Sequence, residues 1–502
     1  MSLFNSFLLL LCTVSFKIAH GGLIVGLRCP SASTTATTSF FKPSLEYRGN
    51  RLQRSIPSRI SFAATSADTA LSSGADGSLQ NKTSRDEQRD MQSLLRWARK
   101  NGIHFADGVE LQKNPNNGGW GVMATQPLRK GTKALVVPRK LVVSSPSTEK
   151  LVKGEFDKAF GILQKADVYD YKPEFLLVVR MLLEHALGEK SNYHVWVQSL
   201  PSTFSTGIWM DEFEQSFLTK DSRVVLDLQQ RQYDAFFKAA QTLSDERIQS
   251  IFAKNDGGTI FQWAFSVVFS RSWRYSGDEG SDAVSNIVPL GDMFNHSGER
   301  ANAGVQDFLS EDSYLELTQD VSKGSELTIS YGVPYNQFRL LVVFGFFDIG
   351  CEEIFSNMNF PGKDQDEALV DMGCTDPSKL VFRVDAGLAA NAVWDASLYI
   401  ALSSNPKEQR ALHDAHLRGD RKAKSALHAK HNLQASVLLG EHVRKTINEL
   451  YPSQLMGVEL KQEDYEQHSN LRMIIEHNRW MRVAFGRVFD RVNGMVQQEI
   501  KK

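Results

Sequence analysis

The chain has 502 residues, enough for two to four domains. Apolar residues make up 42% and charged residues 23%, as in ordinary soluble proteins. The formal net charge of −1 gives no overall attraction to nucleic acid or an anionic membrane, and we expect neither as a partner of the mature protein. The basic stretch 418–424, "RGDRKAK", is interpreted as a solvated helix face.

The first 67 residues are predicted to be a targeting presequence. Residues 1–27 contain an apolar stretch from Phe7 to Phe16 that has the length of a signal-peptide core but is too short to span a membrane. Residues 28–67 are rich in Ser, Thr, Ala and Arg, as in organelle transit peptides, and Glu46 is the only acidic residue before Asp68. This order resembles the bipartite presequences of algae whose plastids lie inside additional membranes. A plastid location is therefore expected, with a simple signal peptide, a single transit peptide or a cytoplasmic protein as alternatives.

Residues 68–86 form a polar stretch without apolar periodicity, which predicts a disordered linker and a folded part from about Glu87. A first helix is predicted over about 87–100 because Met91, Leu94, Leu95 and Ala98 recur at helical spacing. Short strands are predicted within 118–144, helices over about 150–275, strands again within 286–332 and helices from 351 to 502. The plan is a small β domain at 87–350, split by a helical insertion, and then an all-α C-terminal domain.

The cysteines predict neither a disulfide scaffold nor a metal site. They form no CxxC pair, and the two in the folded part are too isolated for a four-ligand zinc site. These residues are Cys12, Cys29, Cys351 and Cys374.

Three short motifs carry the candidate chemistry. Gly118-Gly119-Trp120-Gly121 places glycines where the backbone can approach a ligand closely, although alone it indicates a tight turn. The segment 289–297, "PLGDMFNHS", places Asp292, Asn295 and His296 directly after an apolar strand. In "ELTISYG", Tyr331 ends a strand of alternating pattern, which by itself indicates ordinary packing.

The tripeptide at 295–297 also fits the N-x-S rule for a glycosylation acceptor, which would place Asn295 on the surface of a secreted protein. The neighbouring motifs favour a ligand-holding segment instead. If the presequence routes the chain through the secretory lumen, Asn295 and Asn81 are both exposed as acceptors before folding.

Taken together and in this order, these motifs resemble the SET-domain protein methyltransferases. The helical insertion, the helical C-terminal region and segments such as "YHVWVQSLP" at 193–201 are similar to the plant-type Rubisco large-subunit lysine methyltransferase family. The resemblance implies an α+β SET fold with a pseudoknot, and a C-terminal domain that helps to hold a protein substrate. It also implies S-adenosyl-L-methionine as cofactor, and we expect a monomer.

By this resemblance, most of the motif residues contact the cofactor, and Arg271 faces its carboxylate. Tyr331 would be the active-site tyrosine, and Trp273 and Phe344 would line the substrate channel. The residues implied to contact the cofactor are Gly119, Trp120, Gly121, Arg271, Asp292, Asn295 and His296. One departure is that Phe344 stands where the plant-type enzyme has a second tyrosine, which leaves the number of methyl groups added undecided.

The predicted function is therefore protein-lysine N-methylation. Trp273 offers an aromatic wall suited to a lysine stem, whereas a histidine substrate would favour a polar partner there. A protein-histidine methyltransferase and a SET-like binding module without catalysis are the alternatives. By resemblance only, candidate substrates are plastid stromal proteins such as the Rubisco large subunit or fructose-bisphosphate aldolase.

Overall fold

A computed structural model describes most of the chain from residue 89 to residue 501. The described ranges are 89–114, 119–152, 156–275, 283–306, 311–332, 336–358, 366–376, 378–450 and 457–501. The predicted presequence at 1–67, the linker at 68–86 and Gly118 lie outside these residues.

The strands of the described residues are short and form four sheets. They are β1 His104–Phe105, β2 Val109–Lys113, β3 Trp120–Ala124, β4 Lys133–Val137, β5 Val143–Ser144, β6 Trp273–Tyr275, β7 Val284–Ile287, β8 Asn295–His296, β9 Ala303–Gln306, β10 Ser313–Leu317, β11 Glu326–Ile329, β12 Glu353–Phe355, β13 Val381–Arg383 and β14 Leu388–Ala389.

The α-helices fall into an N-terminal helix, an insertion and a C-terminal group. They are α1 Met91–Lys100, α2 Ser145–Leu151, α3 Asp157–Lys165, α4 Lys172–Leu187, α5 His194–Ser199, α6 Glu212–Ser216, α7 Lys220–Ala240, α8 Glu246–Phe252, α9 Gly257–Arg271, α10 Gln337–Arg339, α11 Glu367–Asp371, α12 Asn391–Ala401, α13 Pro406–Leu417, α14 Arg421–Lys430, α15 Asn432–Glu449, α16 Gln462–Gln467 and α17 Leu471–Ile500. A π-helical turn, Leu340–Phe344, follows α10 directly.

The first helix begins later than the predicted residue 87. Asp90 caps it by accepting a hydrogen bond from the backbone N–H of Ser93 at 2.8 Å, so the helix starts at Met91. Its buried face includes Met91, Leu94 and Ala98, as the periodicity predicted.

Three small sheets from both halves of the sequence build the β part. The strand orders are β1-β4-β10-β9, β2-β3-β11-β8 and β5-β7-β6. β3 pairs antiparallel with β11, whereas β8 pairs parallel with β11 through Thr328 opposite Asn295. The helical insertion, α2 to α9, is confirmed between β5 and β6, so strands far apart in sequence meet in one sheet.

The insertion packs its two most apolar helices into the main core. Helix α4 buries twelve residues in a row, from Pro173 to Glu184, and α9 buries nine of its fifteen. Helices that are apolar on nearly all sides belong in the interior, which explains why these two segments show little amphipathic pattern.

The C-terminal region is mainly helical, as predicted, but it is not all-α. The strands β12, β13 and β14 form an antiparallel sheet. Each is only two or three residues long, too short to show an alternating pattern in the sequence. Ile354 and Phe382 of this sheet share a core with Phe485 of the long helix α17.

A buried carboxylate joins the insertion to the C-terminal helices. Glu214 on α6 accepts from the backbone N–H and from Nδ2 of Asn470, at 2.5 and 3.0 Å, at the start of α17. It is 2% exposed. The first turn of α17 is thereby held by a side chain from the insertion.

Neither a membrane-spanning helix nor a metal-binding cluster is present among the described residues. No helix among them is long and apolar enough to cross a membrane. The same part of the chain holds no group of three or more His, Cys, Asp or Glu side chains arranged to bind a metal ion.

Candidate functional site

A cavity of about 370 Å³ lies where α9 and β6 meet the ends of β8 and β11. Five of the predicted site residues line it: Arg271, Trp273, Asp292, Tyr331 and Phe344. These residues are spread over more than seventy positions of sequence, so the fold, not local sequence, brings them together.

Arg271 and Asp292 form a buried ion pair on the cavity wall. Arg271 Nη1 donates to the Asp292 carbonyl oxygen at 2.9 Å and to Oδ2 of the same residue at 3.1 Å. The side chain of Asp292 is 1% exposed and that of Arg271 16%. One side of the guanidinium is therefore committed to Asp292, and a ligand would meet the other side.

Tyr331 is held by its hydroxyl as well as by its ring. The hydroxyl donates to the carbonyl oxygen of Phe294 at 2.9 Å. Burial raises the pKa of the Tyr331 hydroxyl to about 12, although the charge of Arg271 acts in the opposite direction. The side chain is therefore a phenol at neutral pH, and its oxygen keeps lone pairs with which to accept a hydrogen bond.

His296 does not line the cavity but contacts the backbone of Tyr331. The backbone N–H of Tyr331 donates to His296 Nδ1 at 3.0 Å, and the backbone N of Gly298 lies 3.1 Å from Nε2. A neutral imidazole has one acceptor nitrogen, so only one of these N–H groups is bonded at a time. Burial lowers the pKa of His296, which favours this neutral ring.

A second cluster contains the glycine turn and Asn295. Asn295 Nδ2 donates to the Trp120 carbonyl oxygen at 3.0 Å and to Glu326 Oε1 at 2.6 Å. Gly121 lies against the same groups, because a Cβ built on it would meet Glu326 Oε1 at 2.3 Å and Asn295 Nδ2 at 3.1 Å. The carbonyl oxygen of Gly119 accepts from the backbone N–H of Asn114 at 2.7 Å, which closes the turn.

These contacts concern the side-chain nitrogen of Asn295 in the folded protein. A glycan would be attached at Asn295 Nδ2, and that atom donates two hydrogen bonds inside the fold. The folded chain therefore uses Asn295 Nδ2 in structural hydrogen bonds, and ligand binding by this segment stays a prediction.

Two phenylalanine rings of the site pack against Tyr331, one tilted and one edge-on. The Phe344 ring lies 5.1 Å from the Tyr331 ring and the Phe346 ring 6.1 Å, centroid to centroid. On the opposite wall, Trp273 packs onto backbone, since a Cβ at Gly291 would lie 2.7 Å from Trp273 Cη2. Trp273, predicted at a helix end, instead begins strand β6.

The buried polar atoms that lack a hydrogen-bond partner among the described residues include Arg271 Nε, Arg274 Nε and Asp292 Oδ1 on the cavity wall and Trp120 Nε1 at the glycine turn. Buried polar groups are nearly always satisfied, so such atoms indicate a polar ligand. N–H donors and a carboxylate oxygen together fit a molecule with both a carboxylate and amino groups, such as an amino-acid derivative.

Glu326 and Asn114 are contact residues that the sequence did not reveal. Asn114 Nδ2 donates to Glu326 Oε2 at 2.6 Å. In sequence, a glutamate in a strand of alternating pattern is typical of a solvent-facing position, and its partners lie 31 and 212 residues away. Only the pairing of β11 with both β3 and β8 brings these partners together.

Residues 119–332 match the family model of the SET domain. This range begins at the glycine turn and ends directly after Tyr331, so it contains both clusters described above except Asn114 and Phe344. The predicted SET-domain fold is confirmed.

Among solved structures, the chain is similar to Rubisco LSMT bound to AdoMet, with a TM-score of 0.53 and 16% identity over 81% of this chain and 92% of that one. A SET-domain structure of LSMT bound to lysine and AdoHcy gives a TM-score of 0.52 and 16% identity over 82% and 92%. At this level of identity the likeness concerns the fold.

Proteins that are similar in sequence carry a different name from these similar structures. The chain is 27% identical over 332 residues to actin-histidine N-methyltransferase of Gallus gallus, covering 64% of this chain and 51% of that protein. For the Homo sapiens protein of the same name, identity is 28% over 264 residues, covering 51% and 42%. The SET-domain chain thus spans about half the length of the curated relatives it matches.

Proposed function

We propose that this protein is an S-adenosyl-L-methionine-dependent protein methyltransferase that acts on lysine side chains. The observation that carries the proposal is the cavity in which the buried Tyr331 hydroxyl faces the Arg271–Asp292 pair between aromatic walls. The SET-domain match and the fold shared with AdoMet-bound LSMT support the same activity class.

The unsatisfied polar atoms fit this cofactor. Arg271 Nε would bond its carboxylate, and the groups around Gly121 and Asn295 would hold its remaining polar atoms. When bound, the cofactor supplies a methyl group that its sulfonium already activates. The protein then has to orient the acceptor, which is a positioning task.

Tyr331 is suited to orientation and not to proton abstraction. Its hydroxyl proton points to the Phe294 carbonyl, so the oxygen presents lone pairs to an incoming N–H group. With a pKa of about 12, the tyrosine has no tendency to ionise near neutral pH. It therefore fixes the amine by accepting a hydrogen bond.

A lysine acceptor has to be neutral to attack. Its reference pKa near 10.4 means that neutralisation at pH 7 costs about 4–5 kcal/mol. Trp273, Phe269, Phe294 and Phe344 line the cavity and disfavour the ammonium form by desolvation. Arg271 adds no net charge to the same wall, because it is paired with Asp292.

Protein-histidine methylation is the second candidate. The sequence relatives are named for it, and Asp292 Oδ1, which has no partner among the described residues, lines the cavity and could accept from an imidazole N–H. The aromatic wall of Trp273 favours lysine, because the alkyl stem of a lysine can lie along such an apolar surface.

The test is incubation of the purified full chain with labelled cofactor and a plastid stromal extract, followed by mass spectrometry of the labelled peptides. Methyl-lysine is the expected modification. Methyl-histidine would establish the second candidate. A chain that binds no S-adenosyl-L-methionine by calorimetry would be a binding module, and the enzymatic proposal would be wrong.

We also propose a plastid location and a stromal protein as substrate, such as the Rubisco large subunit or fructose-bisphosphate aldolase. The support is the composition of residues 1–67 and the resemblance to the plant-type family. Residues 1–86 fused to a fluorescent protein should enter plastids of an alga with additional plastid membranes. Retention of the fusion in the cytoplasm or its secretion would contradict the location.

A further inference from the structure

The carboxylate of Glu326 lies against Gly121 of the glycine turn and accepts hydrogen bonds from Asn114 and Asn295. Oε1 accepts from Asn295 Nδ2 and Oε2 accepts from Asn114 Nδ2, each at 2.6 Å. Both partners are amide N–H donors, so an ionised carboxylate satisfies them with one oxygen each.

The two donors belong to segments that no backbone ladder joins. In the order β2-β3-β11-β8, β3 and β8 lie on opposite sides of β11. The Glu326 side chain extends from β11 and bridges them: Asn114 closes the turn through Gly119, and Asn295 also holds the Trp120 carbonyl.

Gly121 leaves the space that this bridge needs. A Cβ at Gly121 would lie 2.3 Å from Glu326 Oε1, so the carboxylate sits directly against the backbone of the turn. Taking a carboxylate out of water is costly unless its hydrogen bonds are made, so the two amide donors are what keep Glu326 at this position.

We propose that Glu326 is a positioning residue that sets the relative placement of the glycine turn and Asn295 and thereby the affinity for S-adenosyl-L-methionine. This inference rests on the proposed function. Glu326 acts through the groups it holds and does not contact the reacting atoms.

Exchanging donor and acceptor tests the bridge. Asn114→Asp places two carboxylates face to face, and Glu326→Gln places two amide N–H groups face to face at one end. The double variant restores complementarity, because the new amide donates to the new carboxylate while its oxygen accepts from Asn295. The total charge also returns to that of the original chain.

We expect each single variant of the full chain to raise the Kd for S-adenosyl-L-methionine by about tenfold or more, and the double variant to recover most of that loss. The KM for the cofactor should rise in parallel, while the KM for the protein substrate stays unchanged. Glu316→Gln, at a half-buried carboxylate on β10 outside the site, is the control and should leave the Kd unchanged.

The outcomes separate this inference from the proposed function. An original chain that binds no S-adenosyl-L-methionine overturns the proposed function and this inference with it. If the original chain binds and both single variants bind equally well, only the role of Glu326 is wrong. A double variant as weak as the singles would also overturn it, whereas recovery of affinity that exceeds any recovery of the thermal midpoint supports positioning.

Discussion

At the scale of single residues, the hydrogen bonds that each polar side chain makes within the protein determine which of its atoms can bind a ligand. Tyr331 donates to Phe294, Arg271 holds Asp292, and Asn295 holds Trp120 and Glu326. The atoms left for a ligand are therefore few, and each substitution has a specific consequence.

Tyr331→Phe should lower kcat by about 100-fold or more, because it removes the oxygen that orients the acceptor amine. Cofactor affinity should be unchanged, since the ring and its aromatic neighbours stay. Steady-state kinetics and calorimetry measure the two effects. Tyr233→Phe, in the aromatic cluster of the insertion, is the matched control. A Tyr331 variant with an unchanged kcat would show that the hydroxyl does not orient the acceptor.

Gly121→Ala should weaken S-adenosyl-L-methionine binding by about tenfold or more. The new methyl group can be accommodated only if Glu326 moves, which breaks its bonds to Asn114 and Asn295. Titration calorimetry measures the loss. Gly161→Ala, in α3 with no atom within 4 Å of the added Cβ, should bind normally and be more stable by about 0.5–1 kcal/mol.

At the scale of elements, a helix or strand is easier to predict from the sequence when its apolar pattern extends over more residues. The helices α4 and α9 occupy Lys172–Leu187 and Gly257–Arg271, within the range of about 150–275 that is predicted to be helical, and their apolar runs are long. The sheet β12-β13-β14 was missed because its strands have two or three residues. Glu326 was missed for another reason, since its role depends on partners in β8 and before β3 that only tertiary pairing supplies.

Helix α17 carries a pH-sensitive group away from the site. Complete burial between Phe338 and Phe347 lowers the pKa of His477 to about 4. The unfolded chain binds a proton near pH 6.5 and the folded chain does not, so stability is full above that pH and falls as pH drops towards 4. The loss should be on the order of 3 kcal/mol.

Urea unfolding at pH 7 and pH 5 would measure this effect. His477→Gln should reduce the difference between the two midpoints, whereas His104→Gln, at an exposed position, should leave it unchanged. His296 has a pKa lowered by burial in the same direction and contributes with the same sign. An undiminished difference in the His477 variant would contradict the assignment.

At the scale of the whole molecule, the insertion and the C-terminal region are joined by more than apolar contact. Glu214 binds both Asn470 donors, and Asn478 Nδ2 donates to the Phe217 carbonyl at 2.9 Å. These bonds fix α17 on the insertion, so the region predicted to hold a protein substrate has a defined position relative to the SET domain.

Glu214→Ala should destabilise the protein by about 2–3 kcal/mol, because it leaves buried donors of Asn470 without an acceptor. Chemical denaturation measures the loss, and hydrogen exchange should show it first at the start of α17. Glu212→Ala, exposed on the same helix, is the control. Equal free energies of unfolding for the two variants would show that water replaces Glu214 as the acceptor for Asn470.

The pairing of β3 with β11 has a consequence for when the protein becomes active. Met123 faces Glu326 across that ladder. The strand that follows the glycine turn can therefore pair only after some 200 further residues have been synthesised. The cavity also needs β8, β11 and the turn at Leu340–Phe344, all of which follow the insertion in the chain. A chain that ends before residue 344 therefore lacks part of the cavity wall, whereas a chain that ends after it contains every residue that lines the cavity.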